Sequence, residues 1–366
     1  MKERKVSWLE LFFDLIFVTA VSSVNFYLLT IAEHPQESLL YFSEYMLMII
    51  PMWWAWVGQT MYMNRFGEYI KRPQLYMMAQ MIFLILMTAS FNLDFDQTYY
   101  TFIVGYLAIR AITVLEYYIS SRNCSGSRSA TAKRLAQLFT IGIVISAASL
   151  FFSGPLRYII MYLGIGIDIL LPLFNKTILK KVPVHFPHLV ERFGLFVIIT
   201  FGEAIVVLVR VLSQNTASIG VFFNVILLFT IVCCMFWSYY TNIENTIDKN
   251  MTTSGQFLLY GHFFIIVSIL LFSVGSDLLL DNRLSTFYFI SILYGSVALF
   301  FVSKHIVFIY HKKNEIVFEQ YKSLAMLFSL IGFYVLCLTF NLSVELALIG
   351  LLIFTATDNF HYRKKK

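Results

Sequence analysis

Between residues 8 and 358 the chain is a succession of about a dozen apolar runs, each close to the roughly 20 residues that a helix needs to cross a bilayer core. They fall near 8–31, 39–63, 73–92, 97–120, 131–153, 156–175, 189–212, 218–242, 255–276, 285–310, 320–339 and 342–358. In hydrocarbon every backbone N–H and C=O must be satisfied internally, so runs of this kind dictate helices. The breaks are short and leave no room for a soluble domain. Only 13% of the residues are charged and 59% are apolar, against about 25% charged in a soluble domain. The expected fold class is an all-α polytopic membrane protein with about 12 transmembrane helices. The first run is read as a retained helix, because Glu10 and Asp14 interrupt it and no small-x-small cleavage site follows.

The net charge of +6 is explained by topology. With the N-terminus inside, the cytoplasmic flanks collect Lys2, Arg4, Lys5, Arg65, Lys71, Arg72, Arg122, Arg128, Lys133, Arg134, Lys176, Lys180, Lys181, Arg192, Lys249, Lys304, Lys312, Lys313, Lys322, Arg363, Lys364, Lys365 and Lys366. Only Arg110, Arg157, Arg210 and Arg283 of the 27 basic residues remain within the membrane or beyond it. The opposite loops carry Glu33, Glu37, Asp94, Asp96, Asp277 and Asp281. The positive-inside rule then places both termini in the cytoplasm, supports an even helix count, and predicts a multi-pass protein of the cell membrane. The terminal RKKK reads as a topogenic anchor that attracts anionic lipid, so the lipid bilayer is the expected partner and nucleic acid is not.

The chain also matches itself. A shift of 181 positions sets Glu10 on Glu191, Phe12 on Phe193, Trp56 on Trp237, Thr60 on Thr241 and Asn64 on Asn245. A one-residue slip then pairs Gln74 with Gln256, Gln80 with His262 and Ile85 with Val267. This predicts a parallel 6+6 repeat, residues 1–180 and 181–366 each forming a six-helix unit, as in transporters whose sites lie between halves.

Two segments carry a family resemblance. WLELFFDLIFVTAV, Trp8 to Val21, and HLVERFGLFVIITFGEAIVVL, His188 to Leu208, resemble the bacterial low temperature requirement A (LtrA) family. The motif positions are Glu10, Phe12, Phe13 and Asp14 in the first segment and Glu191, Arg192, Phe193, Gly194, Gly202 and Glu203 in the second. WWAW at Trp53 to Trp56, GYLAIR ending at Arg110, IDILLP around Asp168 and YGHFF around His262 add to it. Phe201 departs from the aliphatic residue that members usually carry before Gly-Glu. The resemblance implies a topology and a cold-growth connection. It implies no specific activity.

Ionisable groups inside the runs are the candidate functional residues, since each is costly at membrane depth. Glu10, Asp14, Val21 and Asn25 share one face of the first helix. At about 1.5 Å per residue, Asp14, His262, Asp168 and Arg110 lie about 9, 11, 12 and 14 Å from the inner edge, and Glu203 about 21 Å. Arg110 is placed to pair with Asp14 or Asp168, leaving the other acid to titrate. Arg210 lies two turns beyond Glu203, while Glu191 and Arg192 belong at the inner rim.

Each has a structural alternative. An Asp–Arg pair can simply lock helices, Glu10 and Glu191 can snorkel, and His262 can be a hydrogen-bonded core residue. The Trp53, Trp54 and Trp56 cluster reads as packing before it reads as a stacking wall. Cys124, Cys233, Cys234 and Cys337 show no zinc spacing, and no Walker, G-x-S-x-G or HExxH motif occurs. His185 and His188 lie beside Pro183 and Pro187 without a nucleophile. No cofactor, no metal and no enzymatic activity are expected. Three readings stay open: a proton- or ion-coupled secondary transporter of a small solute, a cation channel, and a non-transporting scaffold for lipid or stress adaptation.

Overall fold

The computed structural model describes residues 5–91, 95–214, 218–279, 285–313, 316–318, 320–358 and 362–364. Lys2, Arg4, Asp94, Asp281, Arg283, Lys365 and Lys366 lie outside the described residues, as do the side chains of Arg363 and Lys364. The helices are α1 (Trp8–Leu28), α2 (Ser38–Phe66), α3 (Pro73–Thr88), α4 (Phe95–Asn123), α5 (Gly126–Ala148), α6 (Pro155–Phe174), α7 (Lys176–Leu179), α8 (Phe186–Gln214), α9 (Ile219–Thr246), α10 (Gln256–Leu278), α11 (Thr286–His311), α12 (Gln320–Thr339) and α13 (Val344–Asp358). A short ribbon joins β1 (Ile316–Phe318) to β2 (Tyr362–Lys364), antiparallel, with Val317 opposite Arg363.

Among the described residues nine helices are long and apolar enough to cross a membrane: α1, α4, α5, α6, α8, α9, α10, α11 and α12. Helix α2 has the length, at 29 residues, but carries Glu44, Gln59, Thr60, Asn64 and Arg65, while α3 and α13 have only 16 and 15 residues. Outer faces are apolar. Val144, Val209 and Phe328 are 61%, 63% and 71% exposed, a surface suited to lipid and not to water.

The chain divides into two compact units. The first comprises Met1–Tyr27, Phe42–Arg192 and Thr252–Gln256. Within it α3 packs on α4, α4 on α5 and α5 on α6, as short connections require. Helix α2 is its central post: every residue from Pro51 to Phe66 is buried, so its polar side chains must find partners inside the protein. Helices α5 and α6 meet through small residues. A Cβ on Gly164 would stand 2.5 Å from Ser146 N, and one on Gly142 would stand 2.7 Å from Asp168 Cβ. This close approach brings Asp168 against α5.

The second unit comprises Leu28–Tyr41, Phe193–Met251 and Phe257–Lys366. Here α13 packs on α9, and α11 contacts α9, α12 and α13. Helix α10 is buried along most of its length, with Ile265, Ile269, Leu270 and Phe272 all in the core. Gly261 lets α11 come close, since a Cβ there would lie 2.1 Å from Val307 Cγ2.

Most of the flanking cations are exposed, among them Lys71, Arg72, Arg122, Lys133, Lys180 and Lys249. Three are not. Arg65, Arg192 and Lys304 are buried, because each meets carbonyl or carboxylate oxygens inside its unit. Positions matched by the 181-residue shift occupy unlike surroundings: Trp56 is fully buried and Trp237 is 64% exposed.

Candidate functional site

The first unit gathers three polar clusters around α2. In the first, Arg192 of α8 bridges the two acids of α1. Its Nη1 donates to Glu10 Oε1 and its Nη2 to Asp14 Oδ1, each at 3.1 Å. Trp56 Nε1 donates to the same Asp14 oxygen at 2.7 Å. The guanidinium lies over the Phe13 and Trp56 rings, 5.9 and 5.8 Å from their centroids, an arrangement that favours a cation sealed from water. Glu10 Oε2 also accepts from the backbone N and Oγ of Ser7, at 2.9 Å each.

His188 completes this cluster. Asn64 is held by its two bonds to the His185 backbone, accepting from N and donating to O. Its Nδ2 therefore also donates to His188 Nδ1, at 3.1 Å. With Nδ1 accepting, the ring proton sits on Nε2, which faces Glu10 Oε1 at 3.5 Å.

In the second cluster Arg110 Nη2 lies 2.6 Å from Asp168 Oδ2, and Trp54 Nε1 donates to that oxygen at 3.0 Å. Gly58 makes room for the guanidinium; a Cβ there would fall 2.1 Å from Nη1. Phe139 and Trp54 cover it, at 4.9 and 5.9 Å. Thus Trp54 and Trp56, two residues apart on α2, each donate an indole N–H to a different buried aspartate.

The third cluster holds Glu116. Gln59 Nε2 donates to its Oε1 and Gln80 Nε2 to its Oε2, both at 3.2 Å. Gln80 Nε2 also reaches Gln59 Oε1 at 3.0 Å. All three side chains are buried.

In the second unit Lys304 Nζ contacts Asp358 Oδ2 and Ser238 Oγ. Ser238 Oγ donates to Asp358 Oδ2 at 2.6 Å, and His305 Nε2 lies 3.7 Å from Asp358 Oδ1. Arg210 pairs with Asp277. His262 is buried between Tyr239, whose hydroxyl is 2.7 Å from Nε2, and the Leu258 carbonyl, 2.7 Å from Nδ1.

Arg110 thus takes Asp168, and Asp14 takes Arg192 in place of Arg110. Arg192 is wholly buried, whereas the spacing put it at the rim. Its neighbour Glu191 is exposed. Glu203 is half-buried and meets no hydrogen-bonding or charged partner among the described residues, since Arg210 turns to Asp277. Phe12 is 51% exposed and Phe13 buried. Gly194 gives its carbonyl to the Tyr240 hydroxyl, Phe193 packs on the His262 ring at 4.7 Å, and a Cβ on Gly202 would meet nothing within 4 Å.

Sequence reasoning missed Glu116, with its glutamines, and the Lys304–Asp358 pair. A signal existed for both: Glu116 and Lys304 each lie inside an apolar run. Among the described residues no group of three or more His, Cys, Asp or Glu side chains is placed to hold a metal ion.

A chain of apolar helices that buries paired charges in its interior is a multi-pass membrane protein. Residues 5–357 match the family described as bacterial low temperature requirement A protein (LtrA), and the chain belongs to that family. It is also similar to the uncharacterized protein RA0937 of Rhizobium meliloti (strain 1021), with 26% identity over 317 residues, covering 81% of this chain and 76% of that protein.

Proposed function

We propose that this protein is a secondary transporter of the cell membrane that couples movement of a small solute to a proton or ion gradient through its buried carboxylates. The observation that carries the reading is incomplete satisfaction of the buried charges. Asp14 Oδ2, Asp168 Oδ1, Arg192 Nε and both Nε and Nη1 of Arg110 are buried without a hydrogen-bond partner among the described residues. A pair that serves only to lock helices gains by satisfying every donor and acceptor, because each orphaned buried group costs about 1–3 kcal/mol. Groups left open in this way suit a site that takes up water, ions or solute during a working cycle.

The proposal counts α2, α3 and α13 with the nine apolar helices as about 12 spans. Residues 1–180 and 181–366 form its six-helix halves, with both termini in the cytoplasm. It includes no catalytic step, cofactor or nucleic-acid partner. The unlike burial of Trp56 and Trp237 limits any repeat to topology; equivalent side chains have diverged in role.

The test is gradient-driven flux in vesicles holding the purified protein. Asp14→Asn and Glu203→Gln should abolish coupled flux while leaving the protein folded. Unchanged flux in both variants would remove the proposal. The Glu10–Arg192–Asp14 bridge favours a second reading, a membrane scaffold, for which no solute tested would move and lipids or partners would copurify.

A further inference from the structure

Glu116 differs from every other buried acid described above. Asp14, Glu10, Asp168 and Asp358 each meet an arginine or lysine. Glu116 is 0% exposed, and its carboxyl group meets only the amides of Gln59 and Gln80. An ionised carboxylate in an apolar interior without a cation is so costly that such a group takes up a proton instead.

Among the described residues no cation meets the Glu116 carboxyl group. Tyr62 of α2, Tyr76 of α3 and Tyr117 of α4 are the titratable groups within electrostatic reach, and phenols are neutral at physiological pH. Arg110, earlier on α4, is engaged with Asp168. The cations of α5, Arg128, Lys133 and Arg134, are exposed.

The glutamines supply a partner for the proton. Both carboxyl oxygens accept from amide N–H groups, the arrangement of the ionised form. Meanwhile Gln80 Oε1 is buried without a partner, although Gln80 Nε2 has Gln59 Oε1, Glu116 Oε2 and Thr113 Oγ1 within reach. Turning the Gln80 amide over would present Oε1 to a Glu116 O–H and give up the bond to Gln59 Oε1. One turn away Tyr62 and Ser120 join hydroxyls at 2.8 Å, three and four residues on from Gln59 and Glu116.

We infer that Glu116 is a reversible proton-binding site whose two states are read by rotation of the Gln80 amide. If the protein is a proton-coupled transporter, Glu116 joins Asp14 and Glu203 among the groups that bind the coupling proton; that clause alone rests on the transport reading. Infrared spectroscopy of the purified full-length chain tests the site without any substrate. A C=O band of a protonated carboxyl group should grow as pH falls, move on exchange into D2O, and be absent from Glu116→Gln, which copies the neutral form and should fold. Gln80→Leu should keep the band and shift its frequency. A wild-type spectrum unchanged by Glu116→Gln overturns the proton site, and a band indifferent to Gln80→Leu overturns the amide switch. Failure of the flux experiment with Asp14→Asn and Glu203→Gln would remove the transport reading and leave these spectra to decide Glu116.

Discussion

Arg192 Nη2 lies 3.1 Å from Asp14 Oδ1, with both side chains withdrawn completely from solvent. Since Nη1 of the same guanidinium holds Glu10, one cation answers two acids of α1. Arg192→Met would leave both carboxylates buried without compensation, so it should destabilise the protein by about 3–5 kcal/mol. Thermal unfolding in detergent measures this. Adding Glu10→Gln and Asp14→Asn to Arg192→Met should recover most of the loss, and a single variant that melts like the wild type would show that the bridge carries no stability.

Lys304 and Asp358 follow the same logic at a separate place. Lys304 Nζ is 0% exposed and is held by Asp358 and Ser238. Lys304→Met alone strands Asp358, while Lys304→Met with Asp358→Leu removes both charges at once. The single change should lower the melting temperature clearly, by about 3–5 kcal/mol in stability, and the double change should lie near the wild type or above it. A double variant no better than the single one would contradict the pairing.

The helices were legible in the sequence because each apolar run is its own signal, independent of what it packs against. Burial of Asp14, Arg110 and Asp168 was legible too, since charges within such runs cannot face lipid, whereas Glu10, one turn from the helix start, reads equally as a residue that snorkels to the rim and is in fact buried. Pairing was not. Arg110 could reach Asp14 or Asp168 by depth alone, and the choice of Asp168 depends on Gly142 and Gly164 drawing α6 onto α5, a lateral relation that spacing along one helix does not encode. Arg192 was assigned to a rim because it follows a loop, yet α8 begins at Phe186 and turns that residue inward. The Trp53–Trp56 cluster looked like packing, and packing is part of its role, since Trp53 and Trp56 stack at 5.0 Å. Its indole N–H donors showed their use only once the aspartates were in place.

The small-residue seam between α5 and α6 separates two glycines of the same helix. Gly164→Ala forces a Cβ against backbone, 2.5 Å from Ser146 N and 2.7 Å from Gly142 O, whereas a Cβ on Gly166 would meet nothing within 4 Å. Overpacking against rigid backbone should cost Gly164→Ala about 1–3 kcal/mol. Gly166→Ala should be neutral or stabilising by up to about 1 kcal/mol, the difference in helix propensity. Paired melting curves decide it, and equal effects at both positions would deny the close approach.

Cys124, in the connection between α4 and α5, reports on orientation. It is half-buried and its Sγ donates to Ser120 O at 2.9 Å. The proposed topology puts this connection in the cytoplasm, together with Arg122 and Arg128. In a background carrying Cys233→Ser, Cys234→Ser and Cys337→Ser, a membrane-impermeant maleimide should label inside-out vesicles and leave intact cells unlabelled. Burial pushes the Cys124 thiol above its ordinary pKa, the nearby Arg128 charge opposing the shift only in part. A raised pKa means less thiolate at neutral pH, so labelling should be slow there and accelerate as the medium is made alkaline. Labelling of intact cells in preference to inverted vesicles would reverse the assigned orientation, and a rate independent of pH would mean that the thiol is not held in its protonated form.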